Sequence, residues 1–467
     1  MTAPRAMSDH RYVASLAWLP GGWARDVAFD VDPRGFFSDV RVGITAGDAG
    51  GATRIDGVVL PGMVNAHSHA FQRAMVGLTY RAGPGADNFW SWRSLMYSLA
   101  LRLSPKQIEA IATWVFVEML RGGYTHVCEF HYLHNDVDGT PYADPAELSR
   151  ALLRAADTAG IGITLLPVLY MSAGFGGLAP RDEQRRFVST PDRLLDVVAR
   201  LGAERRDDPR IRLGLAPHSL RAVPPAALDE AVRGLAAADA RAPLHIHIAE
   251  QTGEVDTCVQ WSGQRPVEWL LAHQPVDAKW NLVHATHMTV DESRRAARTG
   301  AVAVVCATTE ADLGDGIFDY PGWRAASGAI AIGTDSQVSR DWWSELRMLE
   351  YSQRLTLRQR NVAAGAEGES SAERLFAATL AGGASAAGLP LGRIEPGARA
   401  DWLVVRRDKL AFAGRKPDAY LDSLVFDHHG ADFADVVVAG TSVGDSLRGD
   451  IAHAARRRFV ATLDALR

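Results

Sequence analysis

Between Leu60 and about Leu389 the chain alternates short apolar runs with longer stretches in which apolar positions recur among Ala, Leu, Arg and Glu at helical spacing. GVVLPGMVNAH, THVCEFHYL, GITLLPVLY, RLGLAPHS, PLHIHIAE, WNLVHATH, AVAVVCATT and AIAIGTDS read as eight strands. PKQIEAIATWVFVEMLRGG and PDRLLDVVARLGAERR, the latter followed by the breaker run DDP, read as helices between them. Strands alternating with helices predict parallel βαβ units. Eight such units predict an α/β fold of the (β/α)8 barrel type, with an open parallel sheet as the alternative.

The pattern differs at both ends. YVASLAWL, ARDVAFDVD and VRVGITAG near the N-terminus, and GRIEPGARADWLVVRRD and FADVVVAGTSV after Leu389, are short strands broken by Gly, Asp and Pro. The two ends are expected to pair. Residues 1–60 and 390–467 would then form one small β-sandwich domain, with a terminal helix, flanking a barrel over residues 61–389. The stretch AAGAEGESSAE is small and polar enough to predict a mobile loop, and no internal repeat or low-complexity tract is seen.

Composition narrows the function. At 467 residues the chain exceeds the roughly 250 typical of a barrel alone, as the extra β domain requires. Fifty basic against 55 acidic side chains give a net charge of -5, which favours neither nucleic acid nor an anionic membrane surface and leaves a small-molecule substrate as the expectation. Cys128, Cys258 and Cys306 form no CxxC pair, which argues against a disulfide framework or a cysteine zinc site. The N-terminus has no signal-like apolar core, and no apolar run approaches the roughly 18 residues of a membrane span. A soluble protein of the reducing cytoplasm is expected.

The candidate chemistry begins at LPGMVNAHSHAFQRAM. In a strand, His67 and His69 share a face, an arrangement that suits a metal, although two polar residues on a strand also have ordinary uses. Barrel active sites lie at the C-terminal ends of the strands. Polar residues closing apolar runs therefore carry weight: His67 and His69, His247 and Glu250 in HIHIAE, His284 in NLVHATH and Asp335 in AIGTDS. His67, His69, His247 and Asp335 are the expected ligands of one divalent ion, Zn2+ by donor type, with Fe2+ or Mn2+ as alternatives. Zinc can lower the pKa of a bound water to about 7.

Glu250 is then placed to move a proton to a departing nitrogen, His284 to hydrogen-bond the nucleophile or the attacked group, and Asp335 to accept or orient the proton. Taken singly, His284 suits a core position, Asp335 a helix cap and Glu250 a solvated surface. Their order at successive strand ends is what joins them. His245 is expected in the core, and His131 and His134 behind the site, while His126, His273, His287, His428 and His429 receive no role.

The order HxH, HxxE, His, Asp resembles the amidohydrolase superfamily in its mononuclear deaminase branch, over nearly the full chain. GVVLPGMVNAHSH and LGRIEPGARADWLVV also resemble its junctions between barrel and β domain. NAHSHAFQRAMVGL, NFWSWRSLMY, CEFHYLHND, GLAPHSLRAV and HIHIAEQTGEVDTC are similar to the formimidoylglutamate deiminase family within it. That resemblance implies hydrolysis of N-formimino-L-glutamate to N-formyl-L-glutamate and ammonia in histidine degradation. It also implies substrate contacts at Gln72, Arg93, Tyr132, His218 and Arg221, and a homodimer. Two arginines suit a substrate with two carboxylates. Asn135 departs from the family, which often has His there. A deaminase of nucleobase-like rings, served by the FWSW aromatics, N-formimino-L-aspartate as substrate, and a metal-stabilised scaffold are the alternatives.

Overall fold

A computed structural model of the chain describes residues 10–466 apart from 46, 48–49, 82–86, 88, 410 and 428–432. The readings made for the first nine residues, His428 and His429 lie outside the described residues.

Eight staves make the centre of the molecule. They are β1 Met63–Ser68, β2 Tyr124–His131, β3 Gly162–Leu169, β4 Ile211–Leu213 continued by Ala216–Pro217, β5 Leu244–Ile248, β6 Trp280–His284, β7 Val302–Val305 and β8 Ala329–Ile332. Pairing is parallel from β1 through β4 and from β5 through β8. Bridges Leu215–Leu244 and Ser219–His247 join β4 to β5, and Ser68–Asp335 joins the ends of β1 and β8. The ring is closed, which excludes the open-sheet alternative.

Closure depends on a close approach at one residue. A Cβ on Gly333 would lie 2.7 Å from the His67 Cβ and 2.8 Å from the His67 carbonyl oxygen, so only glycine lets β8 come this near β1. The Asp335 N–H then donates to the His67 carbonyl at 3.0 Å, and the His69 N–H to the Asp335 carbonyl at 3.2 Å. Asn65 and Thr334 lock the same seam with hydrogen bonds of 2.7 and 3.0 Å.

The predicted helices form where their caps place them. Pro105–Arg121 starts at Ser104, whose side chain accepts from the Gln107 N–H while Gln107 accepts from the Ser104 N–H. Pro191–Glu204 starts at Thr190 in the same way and carries proline at its first position. One expected strand divides: GVVLPGMVNAH is two strands, Val58–Pro61 and β1, parted at Gly62, where a Cβ would collide with Thr125. AAGAEGESSAE is tied down rather than loose. Buried Glu350 accepts from the N–H groups of Val362 and Ala363, Arg324 donates to the carbonyls of Ala363 and Ala364, and Ser370 caps a helix Ser371–Ala387 that includes the end of the stretch.

Strands from both ends of the chain pair in one mixed sheet, in the order Thr441–Ser442, Phe433–Val438, Trp402–Val405, Val58–Pro61, His10–Leu19, Gly22–Val31 and Phe37–Val42, with Thr53–Ile55 beside His10–Leu19. VRVGITAG keeps only its first residues in a strand, because Gly43 turns the chain at φ 72°. The sheet has its own core, built on Phe29, Phe37 and Trp402. Buried Arg399 links it to the barrel: it donates twice to Asp401, and reaches the Pro209 carbonyl at 3.2 Å and His126 at 3.3 Å. No helix among the described residues is long and apolar enough to cross a membrane.

Candidate active site

The polar residues that close the staves converge. His67 ends β1 with Nε2 lying 3.2 Å from Nε2 of His69 and 3.0 Å from Nε2 of His247 at the end of β5. Asp335, beyond β8, brings Oδ1 to 3.5 Å from His67 and 3.3 Å from His69. All four are buried. The His69 Nδ1–H donates to the Phe130 carbonyl at 2.9 Å, which leaves Nε2 with a lone pair directed at the other donors.

This set fits a metal ion. Burial pushes the pKa of His67 down to about 3 and lowers those of His69 and His247, so the rings are neutral donors. The nearby histidines hold the Asp335 carboxyl low despite its burial. Three ring nitrogens meet about 3 Å apart, and Zn–N bonds of about 2.0–2.1 Å in tetrahedral array separate ligand atoms by about that distance. His284 and Cys306 also place an atom near the group, though burial keeps Cys306 a protonated thiol.

Glu250 and His284 stand over the cluster. The Glu250 Oε1 lies 3.9 Å from the His284 Nε2, which is 3.8 Å from the Asp335 Oδ2. Burial raises the Glu250 pKa. Burial alone would depress His284, but Glu250, the hydrogen bond it donates to Glu310 and the charge of Asp335 outweigh it and push its pKa up to about 10. The strand ends that carry these groups are strained: Ala249, His284, Ala285 and Asp335 all have φ between 42° and 66°. Such backbone costs on the order of 1–3 kcal/mol per residue and persists where the surroundings enforce it.

Two buried carboxylates enforce it here, and neither was singled out from the sequence. Glu254 accepts from the N–H groups of Ala249 and Glu250, at 3.2 and 3.1 Å, bracing the turn that carries Glu250. Glu310 accepts from the Cys306 N–H at 2.9 Å and meets Nδ1 of His284 at 3.2 Å, which aims Nε2 of His284 into the site. Glu310 lies in the first turn of the helix Ala307–Leu313 that follows β7, five residues past the strand, where the strand-end rule does not reach. A third acidic side chain, Glu129, accepts from the Ser68 hydroxyl and the Ala70 N–H beside His67 and His69.

A cavity opens over the cluster. Gln72, Arg93, Tyr132, His218 and Arg221 all line it, as expected, together with Glu250, His284 and Asp335. The Gln72 Nε2 donates to the Tyr132 hydroxyl at 2.9 Å, while its Oε1 is buried without a partner. Arg93, in helix Phe89–Ala100, packs over Trp90 at 4.3 Å and Tyr97 at 5.4 Å. Neither Arg93 nor Arg221 forms an ion pair among the described residues. Phe89 and Trp92 of the FWSW segment line the cavity as well, and Tyr97, Tyr170 and Phe187, which sequence reasoning did not single out, complete an aromatic wall. Tyr170 ends an apolar strand and was within reach of the same rule, whereas Phe187 lies in a loop with no signal.

The remaining histidines take the places expected. His245 donates to the Ala386 carbonyl inside the core, and His131 packs against His134, 5.5 Å between ring centres, beyond the cavity wall. Asn135 has a structural use, donating to the Arg185 and Val188 carbonyls and accepting from Arg193.

Comparison with known proteins agrees with this geometry. The amidohydrolase family profile matches residues 58–443. The chain is 48% identical to formimidoylglutamate deiminase of Pseudomonas aeruginosa over 97% of its own length and 98% of that protein's. It is 29% identical to 8-oxoguanine deaminase of the same organism, over 76% of each chain. The crystal structure of an amidohydrolase from Brucella melitensis superposes with a TM-score of 0.90 at 44% identity, covering 98% of this chain and 99% of that one. An adenosine deaminase from Xanthomonas campestris with bound zinc shares the fold at a TM-score of 0.75 and 23% identity, over 98% and 99% of the two chains. With a closed barrel, converging donors at its strand ends and matched relatives along its whole length, the chain belongs to the amidohydrolase family.

Proposed function

We propose that the protein hydrolyses N-formimino-L-glutamate to N-formyl-L-glutamate and ammonia, as a step in histidine degradation. The observation that carries this reading is the pair of guanidiniums, Arg93 and Arg221, left without carboxylate partners among the described residues on the wall of a cavity whose floor is a metal-type donor cluster. Both guanidiniums are half-buried, and a substrate with two carboxylates would pair with both. The full-length relationship to the P. aeruginosa formimidoylglutamate deiminase supports the same substrate.

His67, His69, His247 and Asp335 would hold one divalent ion, Zn2+ by its nitrogen and oxygen donors. The ion would supply Lewis-acid polarisation and a lowered pKa for water. Arg93 and Arg221 bind the carboxylates and set the formimino carbon over the cluster. Gln72, with its unpartnered Oε1, Tyr132 and His218 orient the formimino group. Water adds to that carbon, and Asp335 takes up its proton. Glu250 delivers a proton to the terminal nitrogen; the new hydroxyl then returns its proton to Glu250, Asp335 passes the water proton to the same nitrogen, the C–N bond breaks and ammonia leaves. His284, held by Glu310, donates to the tetrahedral centre as it forms.

Residues 61–389 would be the catalytic barrel, and 1–60 with 390–467 a small β-sandwich domain carrying the terminal helix. Three free, buried cysteines suit a cytoplasmic enzyme. We expect a homodimer, which light scattering tests directly. The aromatic wall alone would also suit a nucleobase-like ring, but such a ring would leave both guanidiniums unmatched. Ammonia release with product identification, from metal-replete protein given N-formimino-L-glutamate, N-formimino-L-aspartate and purines in parallel, decides among them. Turnover confined to purines would replace this reading.

A further inference from the structure

We propose that Tyr97 and Tyr170, aligned by Gln184, donate hydroxyl hydrogen bonds to a carboxylate of the substrate beside Arg93 and Arg221, so that neutral donors as well as cations select the amino-acid end of the molecule. The inference rests on the substrate reading above.

The argument starts from one amide. The Gln184 Oε1 accepts the Arg181 N–H at 2.9 Å, which assigns the amide orientation, because a backbone N–H needs an acceptor. Its Nε2 therefore faces the phenols, at 2.7 Å from the Tyr170 oxygen and 3.2 Å from the Tyr97 oxygen. An amide nitrogen only donates, so both phenol oxygens accept there and both keep an O–H to place elsewhere. Tyr170 and Tyr97 also interact with each other. Even when one donates to the other, one hydroxyl proton is left over, and both phenols line the cavity that contains Arg93 and Arg221.

The Gln184 Oε1 is used by the Arg181 N–H, but the two phenol hydroxyls find only the amide nitrogen and each other, which gives little net stability. Their arrangement makes sense as a donor surface. Burial raises the Tyr170 pKa, so it stays a neutral phenol able to donate.

The loop that presents Gln184 is built to hold still. Arg186, fully buried, donates to the carbonyls of Asn135 at 2.9 Å and Leu103 at 2.8 Å, and Asn135 donates to the carbonyls of Arg185 and Val188 at 3.0 and 2.9 Å. Phe187 wedges between the rings of Tyr97 and Tyr170, 5.7 and 5.8 Å from their centres. Donors fixed before the ligand arrives lose less entropy on binding.

The test uses Tyr97→Phe, Tyr170→Phe and Gln184→Glu in the full, metal-replete chain. Three substrates are compared: N-formimino-L-glutamate, its analogue without the α-carboxylate and its analogue without the side-chain carboxylate. With the full substrate, KM should rise about tenfold or more in each variant while kcat stays within about threefold. The KM effect should vanish for whichever analogue lacks the contacted carboxylate. Gln184→Glu keeps the acceptor for Arg181 but turns the phenol protons inward, so it should match the tyrosine variants; if it misfolds by circular dichroism, the two phenylalanine variants carry the test. Calorimetric titration with N-formyl-L-glutamate and with glutarate should show the same weakening without turnover. Unchanged KM and affinity, or an equal loss on all three substrates, overturns the inference. If the wild-type chain turns over no formimino amino acid, the substrate reading fails, and the glutarate titration still reports on the phenols.

Discussion

At the residue scale the site is a set of carboxylates withdrawn from water, each with a neighbour that sets its state. Glu250 has Glu254 beneath it and His284 beside it. Glu250→Gln keeps the shape and the hydrogen-bonding oxygen but cannot carry a proton, so kcat should fall by about 100-fold or more with bound metal unchanged. Steady-state rates with metal analysis check this, and full turnover would remove Glu250 from the mechanism. His134 offers a separate test on stability. Burial pushes its pKa down to about 4, against the 6.5 of a free histidine, despite a hydrogen bond to the Val168 carbonyl. Between those values the unfolded chain binds a proton that the folded chain refuses, so the contribution is intact above pH 6.5 and is lost as pH falls towards 4. His134→Gln keeps a donor for that carbonyl and should shrink the drop in Tm between about pH 7 and pH 4.5. A drop equal to that of the parent would show that His134 does not titrate in this way.

At the element scale the staves were legible because buried parallel strands need near-continuous apolar runs, and the helices because their caps are local. Ser104, Thr190 and Ser370 each start a helix through a bond to a residue three positions on, an interaction complete within four residues. The break in GVVLPGMVNAH was not legible, because Gly62 matters only through Thr125, which lies far along the chain. Nor was the order in AAGAEGESSAE, which Glu350 and Arg324 impose from other elements. Gly333 is the sharpest case. Gly333→Ala should press its Cβ into His67, costing about 1–3 kcal/mol of stability and lowering metal affinity together. Thermal melting alongside metal titration checks the pair of effects, and an unchanged Tm with full affinity would show that the seam can yield.

At the scale of the whole molecule, the sheet formed by the chain ends and the barrel meet at Arg399. Its guanidinium pairs with buried Asp401 and touches buried His126 and the half-buried Pro209 carbonyl. Arg399→Met leaves Asp401 as an uncompensated buried charge and should cost on the order of 3–5 kcal/mol, with the joint Arg399→Met and Asp401→Leu variant recovering much of the loss. Denaturant unfolding measures both. If the double variant is no better than the single, the pair is not acting as an ion pair.

The sequence by itself determined the alternation of strand and helix, the eight staves, and the polar residues that close them, since each of these is written in a local period and a strand has only one C-terminal end. His67, His69, His247, Glu250, His284 and Asp335 were legible for that reason. Only the tertiary structure decided that the ring closes, that Glu254 and Glu310 brace Glu250 and His284, and that Gln184 and Phe187 reach the cavity from a loop. Those facts depend on contacts between residues far apart in the chain, which no local pattern encodes, and on buried polar groups whose partners become visible only once the chain is folded.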